Sequence, residues 1–408
     1  MTVNIDTTKA GISDFSGISE KLKQIKCMEL PAFVTHRPDI SRIKEDCSRL
    51  QGYKNIILIG NGGSVNSSYA LYYSLGRTGD REFSFLTTME PDHISFLKSR
   101  YKKEDTAVLI ISKSGTNIGP LESMFSFLAD GYNIVSMTED PNGALMKIAK
   151  RKAFPLILHP NIGGRYSGRS SCAMVPAELM GIDISGFNKG CIDMYDLCAP
   201  SVDISNNPAL RLASTLYLLE KQGKVDVFMP CYSMQLSGFL KLIVQLMHES
   251  FGKNSIGQTY FGGDSPETQH HTNQRFFGGR KNITGLFIRS ESQDDNKRCV
   301  EVPCDLLDIR LREGSLGDIS GVPYEKALEY EFKGTWEHAL EKNIPVSLVS
   351  VDSVNACTMG EFMAFWQYVA VYASLLRDVD PFDQPQVEAS KEISFKMRKA
   401  YNTGSRED

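Results

Sequence analysis

TAVLIISKSGTNIGPLESMFSFLAD, residues 106–130, decides the fold. A β-branched apolar run (106–112) stops abruptly at small, hydroxylated residues and a glycine, and a helix-like stretch follows from Pro120. A strand apolar on both faces belongs inside a parallel sheet, whose neighbouring strands must be joined by crossover helices. The same switch occurs upstream, where NIILI (55–59) passes through GNGGS (60–64) into SSYALYYSLG. Further strands are read at NIVSMT (133–138) and PLILH (155–159), so the first half is an α/β unit ending near residue 200.

A second series starts after SNNP (205–208). It has a helix over 209–223, a strand at 225–230 and a long helix from about Ser233 to Phe251. The glycine-rich segment 252–280 reads as loop. Strands follow near 283–289 and 345–351, with helices near 335–343 and 359–377. The chain of 408 residues is too long for one ordinary core, and three parts are expected: 1–200, 201–378, and an arm, 379–408, helical over roughly 385–400 from the proline of DQP. The closing NTGSRED reads as a frayed polar tail.

Composition excludes several classes. Apolar residues make up 41% and charged residues 23%, which is globular rather than disordered. With a formal charge of -4 and no basic stripe, a nucleic-acid partner is not expected. No apolar run is long enough to span a membrane and no export signal is visible, so no membrane association is expected. Nine cysteines without a CxxC pair or Cys/His zinc spacing suit reduced thiols in the cytoplasm, and no metal is expected.

Chemistry concentrates in the loops. GNGGS, with Gly63 and Ser64, and SKSGTN, with Ser112, Lys113, Ser114, Thr116 and Asn117, each sit between a strand and a helix N-terminus. There, free N–H groups and the helix dipole favour an anion such as phosphate. Tight turns with ordinary caps remain the alternative, and neither spacing is that of a nucleotide or dinucleotide loop. In GGRYSGRSS (163–171), Gly164 and Arg165 could meet phosphate or a developing oxyanion, or Arg165 could be a solvated charge.

Glu249 ends an apolar helix, where the dipole disfavours its anion. It suits a general base, or a helix-end carboxylate paired with Lys253 at i+4. Gln269 and His270 lie in QHHTNQ (269–274). Histidine exchanges protons near neutrality, but adjacent loop histidines are often merely exposed. Lys391, in PFDQPQVEASK (381–391), sits on a helix that is either a packing arm or a donor to a substrate oxygen.

Taken in order, GNGGS, SKSGTN, GGRYSGRSS, HESFGK, QHHTNQ and FDQPQVEASK resemble the blocks of the glucose-6-phosphate isomerase (phosphoglucose isomerase) family, and they span residues 60–391. The resemblance implies two sugar-isomerase (SIS) type three-layer αβα domains with mostly parallel sheets, plus a C-terminal helical arm. It also implies a homodimer and reversible isomerisation of glucose 6-phosphate and fructose 6-phosphate without a cofactor. Ser64, Ser112, Ser114 and Thr116 would hold the phosphate. Glu249 would move the proton through a cis-enediol intermediate, with Arg165 stabilising its charge. His270, from the partner subunit, would assist ring opening, with Lys391 at the ring oxygen. Asn117, Gly119, Asn61 and Arg169 depart from the family pattern, and Arg169 is expected near the site, reading a second anionic or hydroxyl group. An isomerase of a related sugar phosphate such as mannose 6-phosphate, and a non-catalytic sugar-phosphate sensor, are the alternatives. The sensor would have no need of Glu249, Arg165, His270 and Lys391.

Overall fold

The computed structural model describes residues 2–292 and 298–403. Its two main sheets have five strands each. In the first, β2 (Asn55–Ile59), β3 (Glu82–Leu86), β4 (Thr106–Ile111), β5 (Asn133–Thr138) and β6 (Leu156–Leu158) lie in the order β3-β2-β4-β5-β6, every pair parallel. All six residues of β4 are buried, which is what its unbroken apolar run demands of a central strand. The helices Gly63–Ser74 and Ile118–Ala129 follow β2 and β4 directly, so both glycine/serine loops lie along one C-terminal edge. In open parallel sheets that edge forms the ligand crevice.

The second sheet runs β1-β12-β9-β7-β8, from β1 (Val3–Asp6), β7 (Asp226–Tyr232), β8 (Thr259–Asp264), β9 (Ile283–Ser290) and β12 (Val346–Val351). It is parallel except for β1, which pairs antiparallel with β12 from Val3 opposite Val351 to Asp6 opposite Leu348. The N-terminal extension therefore sends β1 away from the first sheet, while its helix Ile40–Ser48 packs on helix Ser171–Leu179. Its strand completes the other sheet, and the Thr2 N–H and hydroxyl bind Glu361 at 3.0 and 2.6 Å. A small hairpin, β10 (Arg310–Leu311) with β11 (Gly314–Ser315), lies outside both sheets.

One core joins the two halves. Helix Ala356–Leu376 is buried nearly all round and packs on helices Ile184–Leu197 and Pro208–Lys221. Its neighbours share a cluster with Leu109, Met137, Val227 and Ile288, from the inner faces of both sheets. Each outer face has its own cluster: Ile57, Val108 and Ile134 in the first sheet, and Phe228, Phe276 and Phe287 in the second.

Three expectations need correction. The segment 252–280 is not all loop: it contains β8 and helix Thr272–Gly278. Gly262 reflects crowding rather than irregularity, since a Cβ there would lie 2.6 Å from the Met229 carbonyl oxygen on β7. The helix expected from Ser233 to Phe251 is two, Met234–Ser237 and Phe239–Phe251, divided at Gly238, where a Cβ would lie 2.5 Å from the Cβ of Tyr73. Helix Tyr324–Glu341 starts well before 335, because its first turns are mostly exposed and carry little apolar signal. The C-terminal arm is helical over Glu388–Thr403 after a turn at Pro385–Val387; of the expected frayed tail, Asn402 and Thr403 are helical and 404–408 lie outside the described residues.

Candidate active site

Glu249 is held by the helix that carries it. Leu242, Ile243, Leu246 and Met247 bury one face of helix Phe239–Phe251, which leaves Gln245 and Glu249, one turn apart, on another. The Gln245 side-chain N–H donates to Glu249 Oε1 at 2.9 Å, and the Asn66 amide, from the helix after the first loop, donates to Gln245 Oε1 at 2.8 Å. The Glu249 side chain keeps 29% of its surface open while its partner Arg165 keeps 2%. Glu249 does not pair with Lys253; that lysine turns to the Asp380 carbonyl and the Asp383 carboxylate.

Arg165 spends its donors on five groups. Nε donates to Ser250 Oγ at 2.9 Å; Nη1 donates to Glu249 Oε2 at 3.1 Å and Gln384 Oε1 at 2.7 Å; Nη2 donates to the Pro381 and Asp383 carbonyls at 2.5 and 3.1 Å. A planar guanidinium suits such divergent acceptors, and its charge balances a carboxylate that has lost part of its solvent. The arginine is a buried countercharge, not a solvated loop residue.

Close backbone approach assembles the loops around this pair. A Cβ on Gly63 would lie 2.0 Å from the carbonyl carbon of Gly164, so only glycine lets the first loop meet the Arg165 segment. A Cβ on Gly60 would lie 2.9 Å from the Ile111 carbonyl oxygen, which places the first loop against the second.

Neither loop-following helix, Gly63–Ser74 or Ile118–Ala129, has a side-chain cap bond at its N-cap residue, Gly62 or Asn117. Their first N–H groups therefore remain available to an anion. Ser114 and Thr116 hydroxyls meet at 2.9 Å around Gly115, whose φ of 65° needs glycine. Ser64 and Ser112 are buried, and Ser112 Oγ has no hydrogen-bond partner among the described residues. Lys113 is half-buried and its carbonyl accepts from the Thr138 hydroxyl at 3.2 Å.

The remaining sequence candidates lie elsewhere. His270 is exposed and lines an open groove of about 660 Å³ with Gln269, Asn273, Phe277, Thr335 and His338. Gln269 donates to Thr335 Oγ1 at 3.2 Å. The groove is on the side of the second sheet covered by Phe276 and Phe332, opposite the Glu249 helix. Lys391 is exposed on the C-terminal helix and pairs with Glu388 at 2.8 Å. No hydrogen bond or ion pair among the described residues links either residue to Glu249. Arg169 is not near-site chemistry but core: it is 1% exposed, donates to Asn188 Oδ1 at 2.8 Å, lies over the Tyr195 ring, and burial lowers its pKa. Gly119 lies in the first turn of its helix, against Met89.

Sequence reading passed over Gln245, Asn66, Ser250 and Gln384. The i, i+4 spacing of Gln245 and Glu249 and the position of Gln384 within DQP were the available signals.

Two mostly parallel sheets, with anion-ready helix starts on one edge of the first and a restrained carboxylate nearby, define the sugar-isomerase type of α/β protein. Comparison agrees: a crystal structure of a hypothetical protein from Thermus thermophilus superposes with a TM-score of 0.83 at 22% identity, over 97% of this chain and 99% of that one. A glucose-6-phosphate isomerase from Chlamydia trachomatis superposes with a TM-score of 0.78 at 18% identity, over 98% and 89%. In sequence, the glucose-6-phosphate isomerase of Methanocaldococcus jannaschii is 26% identical over 86% of each chain. A probable glucose-6-phosphate isomerase of Methanococcus maripaludis is 28% identical over 88% of this chain and 81% of its own. The family model for phosphoglucose isomerase matches residues 47–408, so the chain belongs to the phosphoglucose isomerase family and is an isomerase.

Proposed function

We propose that the protein interconverts glucose 6-phosphate and fructose 6-phosphate. The observation that carries this reading is the Glu249 carboxylate, held by Gln245 on one oxygen and Arg165 on the other, with each oxygen keeping a lone pair free. Glu249 takes the C2 proton of the open-chain aldose and returns it to C1, while a proton moves from O2 to O1. The electron pair passes through a cis-enediol, whose developing charge Arg165 offsets. Ser64, Ser112, Lys113, Ser114, Thr116 and the uncapped N-terminus at Asn117 anchor the phosphate, and Gly164 lines the sugar. That anchor turns an encounter into a positioned proton transfer.

His270, on the far side of the second sheet, serves ring opening in the site of a second copy, so the working form is a homodimer. Lys391 approaches the ring oxygen from the C-terminal helix. No cofactor is required by this chemistry. The eight cysteines other than Cys299 are free thiols, which suits a reducing cytoplasm, and among the described residues no helix is long and apolar enough to cross a membrane.

The test offers fructose 6-phosphate to the purified protein and follows glucose 6-phosphate, with Glu249→Gln alongside. The variant is expected to bind hexose phosphate and to lose at least about 100-fold in turnover. Undiminished turnover would remove Glu249 from its role. Wild-type turnover of mannose 6-phosphate alone would replace the substrate, and hexose-phosphate binding without turnover would make the protein a sensor.

A further inference from the structure

His159 is the one histidine of the described chain that is both almost wholly buried and set on the sheet edge carrying the phosphate loops. It follows β6 directly, its N–H donates to the Thr138 carbonyl at 3.1 Å, and it is 2% exposed. In the register of the sheet, Ile111, Met137 and Ile157 form one row on the inner face. Two residues further along, just past the ends of these strands, come Lys113, Glu139 and His159. His159 therefore lies on the same sheet edge as the lysine of the second loop, and Lys113 is the charged group that acts on its ring. The carboxylates that continue β5 on this edge are Glu139 and Asp140, whose N–H groups both bind the Lys113 carbonyl.

The ring's own bonds fix its state. Nδ1 lies 2.7 Å from the Pro160 carbonyl, which can only accept, so Nδ1 carries the proton. In the neutral ring Nε2 is then a bare acceptor, and this buried atom has no partner among the described residues. A buried nitrogen without a bond is costly. Ser112 Oγ, at the end of β4 on the same edge, is likewise buried and unpartnered. Burial and Lys113 both lower the pKa of the free ring, which keeps it neutral.

We propose that His159 is a phosphate-positioning residue: when a phosphate monoester dianion occupies the SKSGTN loop, Nε2 takes up a proton and the imidazolium strengthens the anion's hold. This rests on the reading of that loop as a phosphate clamp. The proton comes from solvent and no covalent bond changes. The dianion offsets the Lys113 charge that opposes protonation, so the bound ring holds a proton that the free ring does not. Phosphate affinity is then highest at low pH and falls as pH rises from the free ring's depressed pKa through that of the bound ring.

Inorganic phosphate binding and the KM for fructose 6-phosphate are measured from pH 5.5 to 8.5 on wild type, His159→Gln and Ser112→Ala. His159→Gln keeps a polar side chain of similar reach without the titration. Comparing the variants at each pH cancels the ionisation of phosphate itself. The expected result is roughly tenfold weaker phosphate binding and a raised KM for His159→Gln at the acid end, converging on wild type at the alkaline end, with kcat little changed. A wild-type to variant affinity ratio that stays flat across pH overturns the proposal while leaving the clamp standing, since Ser112→Ala still weakens binding. A fall in kcat with KM unchanged makes His159 a structural support and overturns it too. If wild type binds no phosphate, or Ser112→Ala binds it as well as wild type, the clamp reading itself fails and this proposal fails with it.

Discussion

At the scale of single residues, the site depends on side chains that hold other side chains. Gln245 touches both Glu249 and Asn66, so it ties that carboxylate to the helix that begins at the first loop. Gln245→Leu is expected to lower kcat roughly tenfold with KM near that of wild type, since the carboxylate loses its restraint but the loops proposed to hold the phosphate do not. Steady-state kinetics on fructose 6-phosphate separates the two constants. The candidates that sequence brought to one place, Arg165, Glu249 and the loop serines, stand out because glycine turns and hydroxyls at strand ends are locally coded. Ser250 and Gln384 were not legible, because what qualifies them is their meeting with Arg165 across 85 and 219 residues of chain, and Gln245 meets Asn66 across 179, which no local pattern carries. Arg169 misled for the opposite reason: it shares a short motif with Arg165, but one turn of 3-10 helix sends the two side chains to different places, one to the carboxylate and one into the core.

At the scale of elements, small residues decide how helices meet. A Cβ on Gly190, in helix Ile184–Leu197, would lie 1.9 Å from the Cys357 carbonyl oxygen at the start of helix Ala356–Leu376, and one on Gly360 would lie 2.0 Å from the Phe187 carbonyl oxygen. These are backbone atoms, which no rotamer change can relieve. Gly190→Ala is therefore expected to push the two helices apart and to destabilise the protein by about 1–3 kcal/mol, read as a lowered thermal midpoint. Gly223→Ala, on a surface turn with nothing near its Cβ position but with φ of 82°, tests backbone strain without crowding and should cost less. Seven of the ten strands of the two main sheets were legible at close to their true bounds, since continuous apolar runs between turn residues have few other uses, whereas β1, β3 and β8 were not read. Helix Tyr324–Glu341 and the hairpin Arg310–Ser315 were poorly legible, their outer positions being largely exposed and polar.

At the scale of the whole molecule, stability responds to pH through histidines spread over both halves. His36, His159 and His248 all have lowered pKa values, each with burial as the largest cause. His248 Nε2 accepts the Tyr260 N–H at 2.8 Å, a bond that protonation at that nitrogen would break. A group whose pKa is depressed by folding contributes stability that is complete above its unfolded value, here 6.5, and is lost as pH falls below it through the folded value. The thermal midpoint is therefore expected to hold from pH 8 to 7 and to drop between 6.5 and 5. His248→Gln, which keeps an acceptor for the Tyr260 N–H, should make that drop shallower in a series of unfolding curves. A variant as acid-sensitive as wild type would clear His248.

The pairing of β1 with β12 has a consequence for how the protein comes into being. Residues 3–6 leave the ribosome well before their partners, residues 348–351. At about 5–20 residues per second, the first strand waits on the order of 20 to 70 s for the edge it completes. Val3, which ends wholly buried, spends that interval without its final cover. Three of the five acceptors of Arg165 and both of those of Lys253, at residues 380–384, arrive later still. A chain made only as far as residue 379 can thus fold its first sheet and both glycine/serine loops, but its Arg165 still lacks the Pro381, Asp383 and Gln384 acceptors and its Lys253 lacks Asp380 and Asp383, so the arrangement around Glu249 is completed only after that segment is made.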